Sequence, residues 1–169
     1  INTVKFIFGF EFNFILSNLI IFVGALSNFY LMFFYKKPVL SNATSFNFLS
    51  LDILQLSALL YLSGGILNPF SIFLLIPSVF AASNLNIKTN IALILITLAS
   101  IIFLTFYHYE LPKPLDEYSI SLYYYYAIPL ALIIALFFLN YFAFIFGQET
   151  NLRKDALDKI QEVISKEHE

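Results

Sequence analysis

The stretch Gly64-Gly65-Ile66-Leu67-Asn68-Pro69-Phe70 interrupts a long apolar part of the sequence. Glycine adopts positive φ without the penalty of a Cβ and lets another group approach the backbone, and two glycines occur here in succession. Pro69 fixes its own φ, lacks an N–H and pushes Asn68 out of the helical region. We therefore expect one helix to end near Ser63 and the next helix to begin near Ser71.

The same stretch is also a candidate binding site. Asn68 supplies an amide donor and acceptor, and Phe70 places an aromatic ring at the edge of the break. A turn of this kind at membrane depth suits a flat, apolar ligand that carries oxygen atoms. An ordinary turn between two helices is the alternative, and the residues alone leave both interpretations open.

The composition is that of a membrane protein. The chain has 169 residues, of which 60% are hydrophobic and 12% are charged, and its mean hydropathy is +0.82. Soluble domains have roughly 45–50% apolar and about 25% charged residues. We therefore predict an all-α, polytopic transmembrane helix bundle. The net charge of −2 gives no indication of a nucleic-acid partner, and the sequence has no cysteine for a disulfide or a thiolate metal site.

The apolar segments divide the chain into five full spans after the tail of a truncated first span in residues 1–12. A span needs about 20 residues to cross roughly 30 Å of hydrocarbon. Because the first residue is Ile1 rather than methionine, we expect the sequence to be a piece of a longer protein. The spans, which together make residues 1–146 a transmembrane domain, are predicted at residues 13–35, 46–63, 71–83, 89–107 and 122–146.

Residues 147–169 are predicted to form a second unit, an amphipathic helix continuous with the last span. A narrow apolar stripe recurs there at three- and four-residue steps, which favours a two-stranded coiled coil and therefore a homodimer. A solvated helix packed on its own domain is the alternative. The apolar positions of the stripe are Leu152, Ala156, Leu157, Ile160, Val163 and Ile164.

The distribution of basic residues predicts the orientation of the spans. Lysine and arginine in short loops concentrate on the cytoplasmic side of membrane proteins. In the predicted topology Lys36, Lys37, Lys88, Arg153 and Lys154 all fall on one side. The C-terminal helix is therefore expected to be cytoplasmic, and residues 64–70 are expected to face the periplasm.

Polar residues inside the spans are the remaining candidates for function. Asp52 and Gln55 share one helical face and could form a secondary intramembrane polar site, with a structural hydrogen bond to a neighbouring helix as the alternative. Asn140 is expected to bond one helix to another. His108 lies near Glu110 and could indicate a metal site or a pH sensor, but we favour a solvated loop histidine. We predict no catalytic residues and no metal site.

Three segments together resemble the membrane sensor domain of RegB/PrrB-type redox-sensing histidine kinases. The segments are residues 52–56, which carry an Asp-x-x-Gln pattern, residues 61–70, and residues 74–77. Those kinases carry a Gly-Gly-x-x-Asn-Pro-Phe heptapeptide in a short periplasmic loop that is implicated in sensing ubiquinone. All five fixed positions of that heptapeptide are present here, as Gly64, Gly65, Asn68, Pro69 and Phe70.

The resemblance implies a quinone site at these five residues. The glycines would allow close approach of the ligand, Asn68 would hydrogen-bond a quinone carbonyl, and Phe70 would contact the ring. It also implies a bacterial inner-membrane sensor whose parent protein contains an ATP- and Mg²⁺-dependent kinase core and acts on a response regulator.

The kinase core itself is not expected within this sequence. The acceptor motif of the family, His-Glu-Leu-Gly-Thr-Pro, is absent, and His168 lies too early in the linker helix to be assigned as the acceptor. We therefore expect the chain alone to be inactive as an enzyme. A small transporter or a membrane-embedded enzyme is the alternative, although no inverted repeat of the transporter kind is visible.

Overall fold

The computed structural model describes residues 13–34, 41–110 and 122–167, and these residues form helices joined by short connections, with no strand among them. The predicted all-α fold is confirmed. The predictions for residues 1–12, for Lys36 and Lys37 and for His168 lie outside the described residues. The helices are α1 (Phe14–Phe34), α2 (Asn42–Tyr61), α3 (Ile76–Asn84), α4 (Ile87–Phe106) and α5 (Leu122–Glu167), with 3₁₀ helices at Gly65–Leu67 and Pro69–Leu75 between α2 and α3.

Four of the described helices, α1, α2, α4 and α5, are long and apolar enough to cross a membrane. The span predicted at residues 71–83 corresponds to a shorter apolar segment, Pro69–Asn84. The first seven of its sixteen residues wind as a 3₁₀ helix, which rises about 2.0 Å per residue instead of 1.5 Å. The segment therefore reaches about 27 Å, close to the roughly 30 Å of a bilayer core.

Helices α2 and α4 each begin at a polar N-cap that lies before the apolar part of the helix. The Ser41 hydroxyl accepts a hydrogen bond from Thr44 N at 3.2 Å, and Asn86 Oδ1 accepts one from Thr89 N at 2.8 Å. A capping side chain satisfies an N–H group that has no partner within the helix. Helices α2 and α4 consequently begin before residues 46 and 89, where the spans were predicted to start. The additional residues of each helix form a polar first turn, which the apolar pattern does not include.

Hydrogen bonds between elements define one end of the bundle. Tyr109 N donates to Tyr61 O at 2.9 Å, so the chain just after α4 lies beside the end of α2. The Tyr125 hydroxyl donates to Thr105 O, which joins the first turn of α5 to the last turn of α4. This end, which also carries residues 64–70, is called the loop end below.

The opposite end of the bundle brings together the start of α2, the turn before α4 and the middle of α5. Asn86 N donates to Asn42 Oδ1 at 3.4 Å. A Cβ added to Gly147 would lie 2.7 Å from Ser83 Cα, so α5 and the end of α3 are in close backbone contact there. Lys88 is in the first turn of α4 and therefore lies at this end, which is called the basic end below.

The core lies among α2, α3, α4, α5 and the 3₁₀ segments between them. Helix α1 is peripheral, and among its residues 14–33 only Ser17 and Gly24 are buried. Most other apolar side chains of the long helices are exposed, as expected for surfaces that face lipid. The buried cluster consists of Ile53, Leu60, Ile66, Leu74, Leu75, Ala81, Leu93, Ile101, Leu104, Leu132 and Leu136.

Helix α5 is a single helix of 46 residues, so the predicted boundary between last span and linker at residue 147 falls inside it. Asn140 Nδ2 donates to Ser78 Oγ at 3.2 Å and to Leu136 O at 2.8 Å. The expected helix–helix bond of Asn140 is thus confirmed, and it joins α5 to α3. Pro129 lies inside α5 and lacks the N–H that would bond to the carbonyl of Tyr125.

Candidate functional site

The backbone of the Gly64–Phe70 loop has the conformation that its glycines and proline predict. Gly64 has φ 101° and Gly65 has φ 60°, and no other residue type in the described chain has positive φ. Asn68, directly before the proline, is extended with φ −67° and ψ 127°. The chain leaves α2, turns at the two glycines, forms the short 3₁₀ helix Gly65–Leu67 and enters the second 3₁₀ helix at Pro69.

The Asn68 amide holds this loop together. Its Nδ2 donates to Ser63 O at 2.8 Å and to Ser63 Oγ at 2.9 Å, and its Oδ1 accepts from Phe70 N at 2.9 Å. Asn68 is therefore the N-cap of the 3₁₀ helix that begins at Pro69. A ligand carbonyl needs a donor, so it would have to displace one of the bonds to Ser63 before Asn68 could bind it.

The group that approaches the loop glycines is a side chain of this same protein. A Cβ added to Gly65 would overlap the imidazole ring of His108. His108 Nδ1 is hydrogen-bonded to Tyr109 O at 2.7 Å, and the ring lies 6.4 Å from that of Tyr125. The interpretation of His108 as a solvated loop residue is therefore wrong, because the ring packs against Gly65 and is half-buried.

The five heptapeptide residues differ in what they offer to a ligand. Gly64 and Gly65 are buried and Asn68 is half-buried, whereas Pro69 and Phe70 are exposed. The Phe70 side chain is 53% exposed, and its ring lies 5.8 Å from that of the neighbouring Phe73. The exposed rim of the loop is thus apolar and aromatic, and its polar groups point inward.

Four aromatic rings form a second surface at the loop end, which the sequence did not predict. Phe103 stacks on Tyr107 at 5.4 Å and on Tyr61 at 6.1 Å, and Tyr109 meets Tyr61 edge-on at 5.3 Å. The spacing of Phe103 and Tyr107 on one helix was visible in the sequence. The contact of Phe103 with Tyr61 was not, because it joins α4 to the distant end of α2.

The proposed secondary polar site is separate from the loop. The Gln55 amide lies against α1, where a Cβ on Gly24 would overlap it, and Asp52 is exposed one turn earlier in α2. Ser27 Oγ and Asn28 Nδ2 both donate to Gly24 O, at 2.8 and 3.1 Å. The contact with Gly24 places Gln55 beside α1, and a role for Asp52 and Gln55 as a polar site stays a prediction. About nine residues of helix, or roughly 13 Å, separate Gln55 from the loop.

The described residues contain no group of three or more histidine, aspartate or glutamate side chains close enough together to hold a metal ion. The polar groups at the loop end make separate hydrogen bonds: Asn68 bonds to Ser63, the His108 imidazole to Tyr109 O, and the Tyr125 hydroxyl to Thr105 O. Such an arrangement can recognise an uncharged ligand that carries a few oxygen atoms.

Among known proteins, the chain is similar to the sensor histidine kinase RegB of Cereibacter sphaeroides. The two are 29% identical over 119 residues, which cover 69% of this chain and 25% of RegB. The chain thus spans about a quarter of the length of the curated relative that it matches. No protein-family model matches it, and no solved structure does. The similarity supports a relationship to histidine kinase sensors, and the apolar helices indicate a membrane protein.

Proposed function

We propose that this chain is the membrane input domain of a two-component redox-sensing histidine kinase. A quinone binds at the loop end, and α5 passes the signal to a C-terminal kinase core that uses ATP and Mg²⁺. The protein lies in the bacterial inner membrane as a homodimer, with residues 64–70 on the periplasmic side and residues 147–169 in the cytoplasm. The parent protein acts on a response regulator. The similarity to RegB and the complete heptapeptide support this proposal.

The observation that carries the signalling part is the course of α5. Tyr125 fastens its first turn to Thr105 at the loop end, and Gly147 contacts Ser83 at the basic end. Its 46 residues extend over about 69 Å, more than twice the roughly 30 Å of a bilayer core. One uninterrupted helix therefore begins beside the candidate site, crosses the bundle and leaves it at the far end.

The part of α5 beyond Gly147 is suited to pair with a second copy of the chain. Its apolar side chains are exposed, among them Leu157 at 62%, Ile160 at 55% and Ile164 at 50%. In an aqueous segment such a stripe is stabilised when a second apolar helix covers it. A coupling of about 1–3 kcal/mol between ligand and helix packing is enough for a useful sensor.

The rim of the loop supports the ligand part of the proposal. Phe70 and Phe73 offer exposed rings on one side, and the stacked rings of Phe103 and Tyr107 offer a second aromatic surface at the same end. Aromatic rings bind a flat partner by stacking or edge contacts worth about 0.5–1.5 kcal/mol beyond burial. A quinone ring in the outer part of the bilayer can reach such surfaces without leaving the lipid.

The ligand part is tested by equilibrium dialysis of short-chain ubiquinone against the chain in nanodiscs. Empty nanodiscs of the same lipid measure the quinone that merely partitions into the bilayer. We expect saturable binding that approaches one quinone per chain after this subtraction. Uptake that rises linearly and equals that of empty discs would contradict the proposal.

A further inference from the structure

His108 is the polar side chain outside the loop that lies directly against the loop backbone. The two positive-φ glycines turn the chain at this point, and the missing Cβ of Gly65 leaves the space that the imidazole fills. Any other residue at position 65 would push the ring away. The Gly-Gly pair therefore positions the histidine, in addition to forming the turn.

Other polar side chains at the loop end already make hydrogen bonds to this protein. Both hydrogen bonds donated by Asn68 go to Ser63, and the Ser63 hydroxyl itself donates to Leu59 O at 2.8 Å. The Tyr125 hydroxyl donates to Thr105 O. Within the described residues, the imidazole makes its hydrogen bond through Nδ1, to Tyr109 O. The other ring nitrogen, Nε2, is thus the atom best able to meet an incoming ligand.

We infer that the His108 imidazole, rather than the Asn68 amide, makes the polar contact with the ligand, and that it selects the hydroquinone form. This inference rests on the proposed function, namely that a quinone binds at the loop end. It assigns to His108 the recognition of redox state and to Asn68 the maintenance of the loop.

The preference for hydroquinone follows from the partner of Nδ1. A carbonyl oxygen such as that of Tyr109 only accepts hydrogen bonds, so Nδ1 carries the proton. In the neutral ring Nε2 then has a lone pair and no hydrogen, and it accepts from a donor. Hydroquinone offers an O–H donor, whereas the carbonyl of the oxidised quinone offers only a second acceptor.

The test compares the affinities of ubiquinol and ubiquinone, both with short side chains, for wild type, His108→Ala and His108→Gln in nanodiscs at pH 8. Ubiquinol is kept reduced under argon, and empty discs correct for partitioning. One lost hydrogen bond changes an affinity by about three- to tenfold. We expect His108→Ala to weaken ubiquinol binding by that factor and ubiquinone binding by less than about twofold. His108→Gln retains an acceptor oxygen and should recover part of the loss. The control is Lys88→Ala, at the basic end, which should change neither affinity.

The outcomes separate this inference from the proposed function. Saturable binding to wild type together with an equal loss for both redox forms, or no loss for either, would overturn the role of His108 and leave the quinone site standing. No saturable binding of either form to wild type would refute the proposed function itself. Far-UV circular dichroism checks that each variant keeps its helices. If His108→Ala does not fold, the ratio of ubiquinol affinity to ubiquinone affinity is compared between His108→Gln and wild type. An unchanged ratio would overturn the role of His108.

Discussion

Gly65 and Gly147 lie at opposite ends of the bundle, and each one leaves room for a neighbouring group where a side chain would stand. At Gly65 that group is the His108 side chain, whose Cβ is fixed to the backbone but whose imidazole can rotate about the side-chain bonds. At Gly147 it is the backbone of Ser83, which moves only if α3 moves. The loop end therefore contains an adjustable contact and the basic end a fixed one. In the proposed sensor, a ligand acts on the first contact, and α5 carries the change past the second.

The loop end and the basic end are proposed to lie on opposite sides of a membrane. Accessibility labelling gives an all-or-none test of this topology. Single cysteines replace Lys88 and Glu110, which are exposed at the basic end and beside the loop end. In intact cells a membrane-impermeant maleimide should label the cysteine at position 110 and not the one at position 88. Both cysteines should react once the membrane is opened. Labelling of both in intact cells would exclude the proposed topology.

An added methyl group should destabilise the protein more at Gly147, which faces a backbone, than at Gly24, which faces a side chain. We expect Gly147→Ala to lower the free energy of unfolding by about 1–3 kcal/mol, because its Cβ would meet backbone atoms and force α3 and α5 apart. The matched variant is Gly24→Ala, whose Cβ would lie nearest to the movable end of Gln55. Alanine is also the better helix former, so this variant should be neutral or slightly stabilising. Equal losses in urea or SDS unfolding would remove the distinction between the contacts.

Loss of the Asn68 cap should lower the free energy of unfolding slightly less than Gly147→Ala does. We expect Asn68→Ala to cost about 1–2 kcal/mol, because it removes the cap on Phe70 N and both bonds to Ser63. Quinone binding should weaken several-fold as the loop loses its shape. Asn68→Asp keeps the capping oxygen and loses the donors, so its stability should lie between those of wild type and Asn68→Ala. A variant with alanine that is as stable as wild type would show that the loop does not depend on this amide.

The smallest effect on stability is expected at the exposed rim. Phe70→Ala should change the free energy of unfolding by no more than about 0.5 kcal/mol, as is usual for exposed positions. Quinone affinity should fall about two- to tenfold, which corresponds to the 0.5–1.5 kcal/mol of an aromatic contact. Phe80 provides a matched control, because it too is 53% exposed but lies towards the basic end. Equal losses of affinity in Phe70→Ala and Phe80→Ala would indicate a general effect on the lipid-facing surface.

Local features of the sequence predicted much of the fold. The glycine pair indicated a turn with positive φ, Pro69 indicated the break before it, and the composition indicated apolar helices. The capping role of Asn68 was also readable, because a residue that precedes a proline at the first helical position is a typical N-cap. We instead predicted that this amide binds a ligand, because an amide and an aromatic ring beside a turn at membrane depth suit an apolar ligand that carries oxygen atoms.

The tertiary part of the site could not be read from the sequence. His108 follows Gly65 by 43 positions and reaches it only because α2 and α4 end side by side. No periodic pattern encodes that meeting, and a lone histidine in a polar segment resembles a solvated residue. The stacking of Tyr61 on Phe103 was missed for the same reason.

In the proposed sensor, a ligand at the loop end changes the packing of α5 beyond the bundle. Disulfide cross-linking between subunits, measured with and without saturating short-chain ubiquinone, tests this directly. Single cysteines are placed at Leu157, Ile160, Ile164 and Asp158. We expect efficient cross-linking at the three apolar positions and little at Asp158. We further expect that quinone changes the efficiency at one or more of the apolar positions. Cross-linking that is uniform, absent, or the same with and without bound quinone would contradict this proposal.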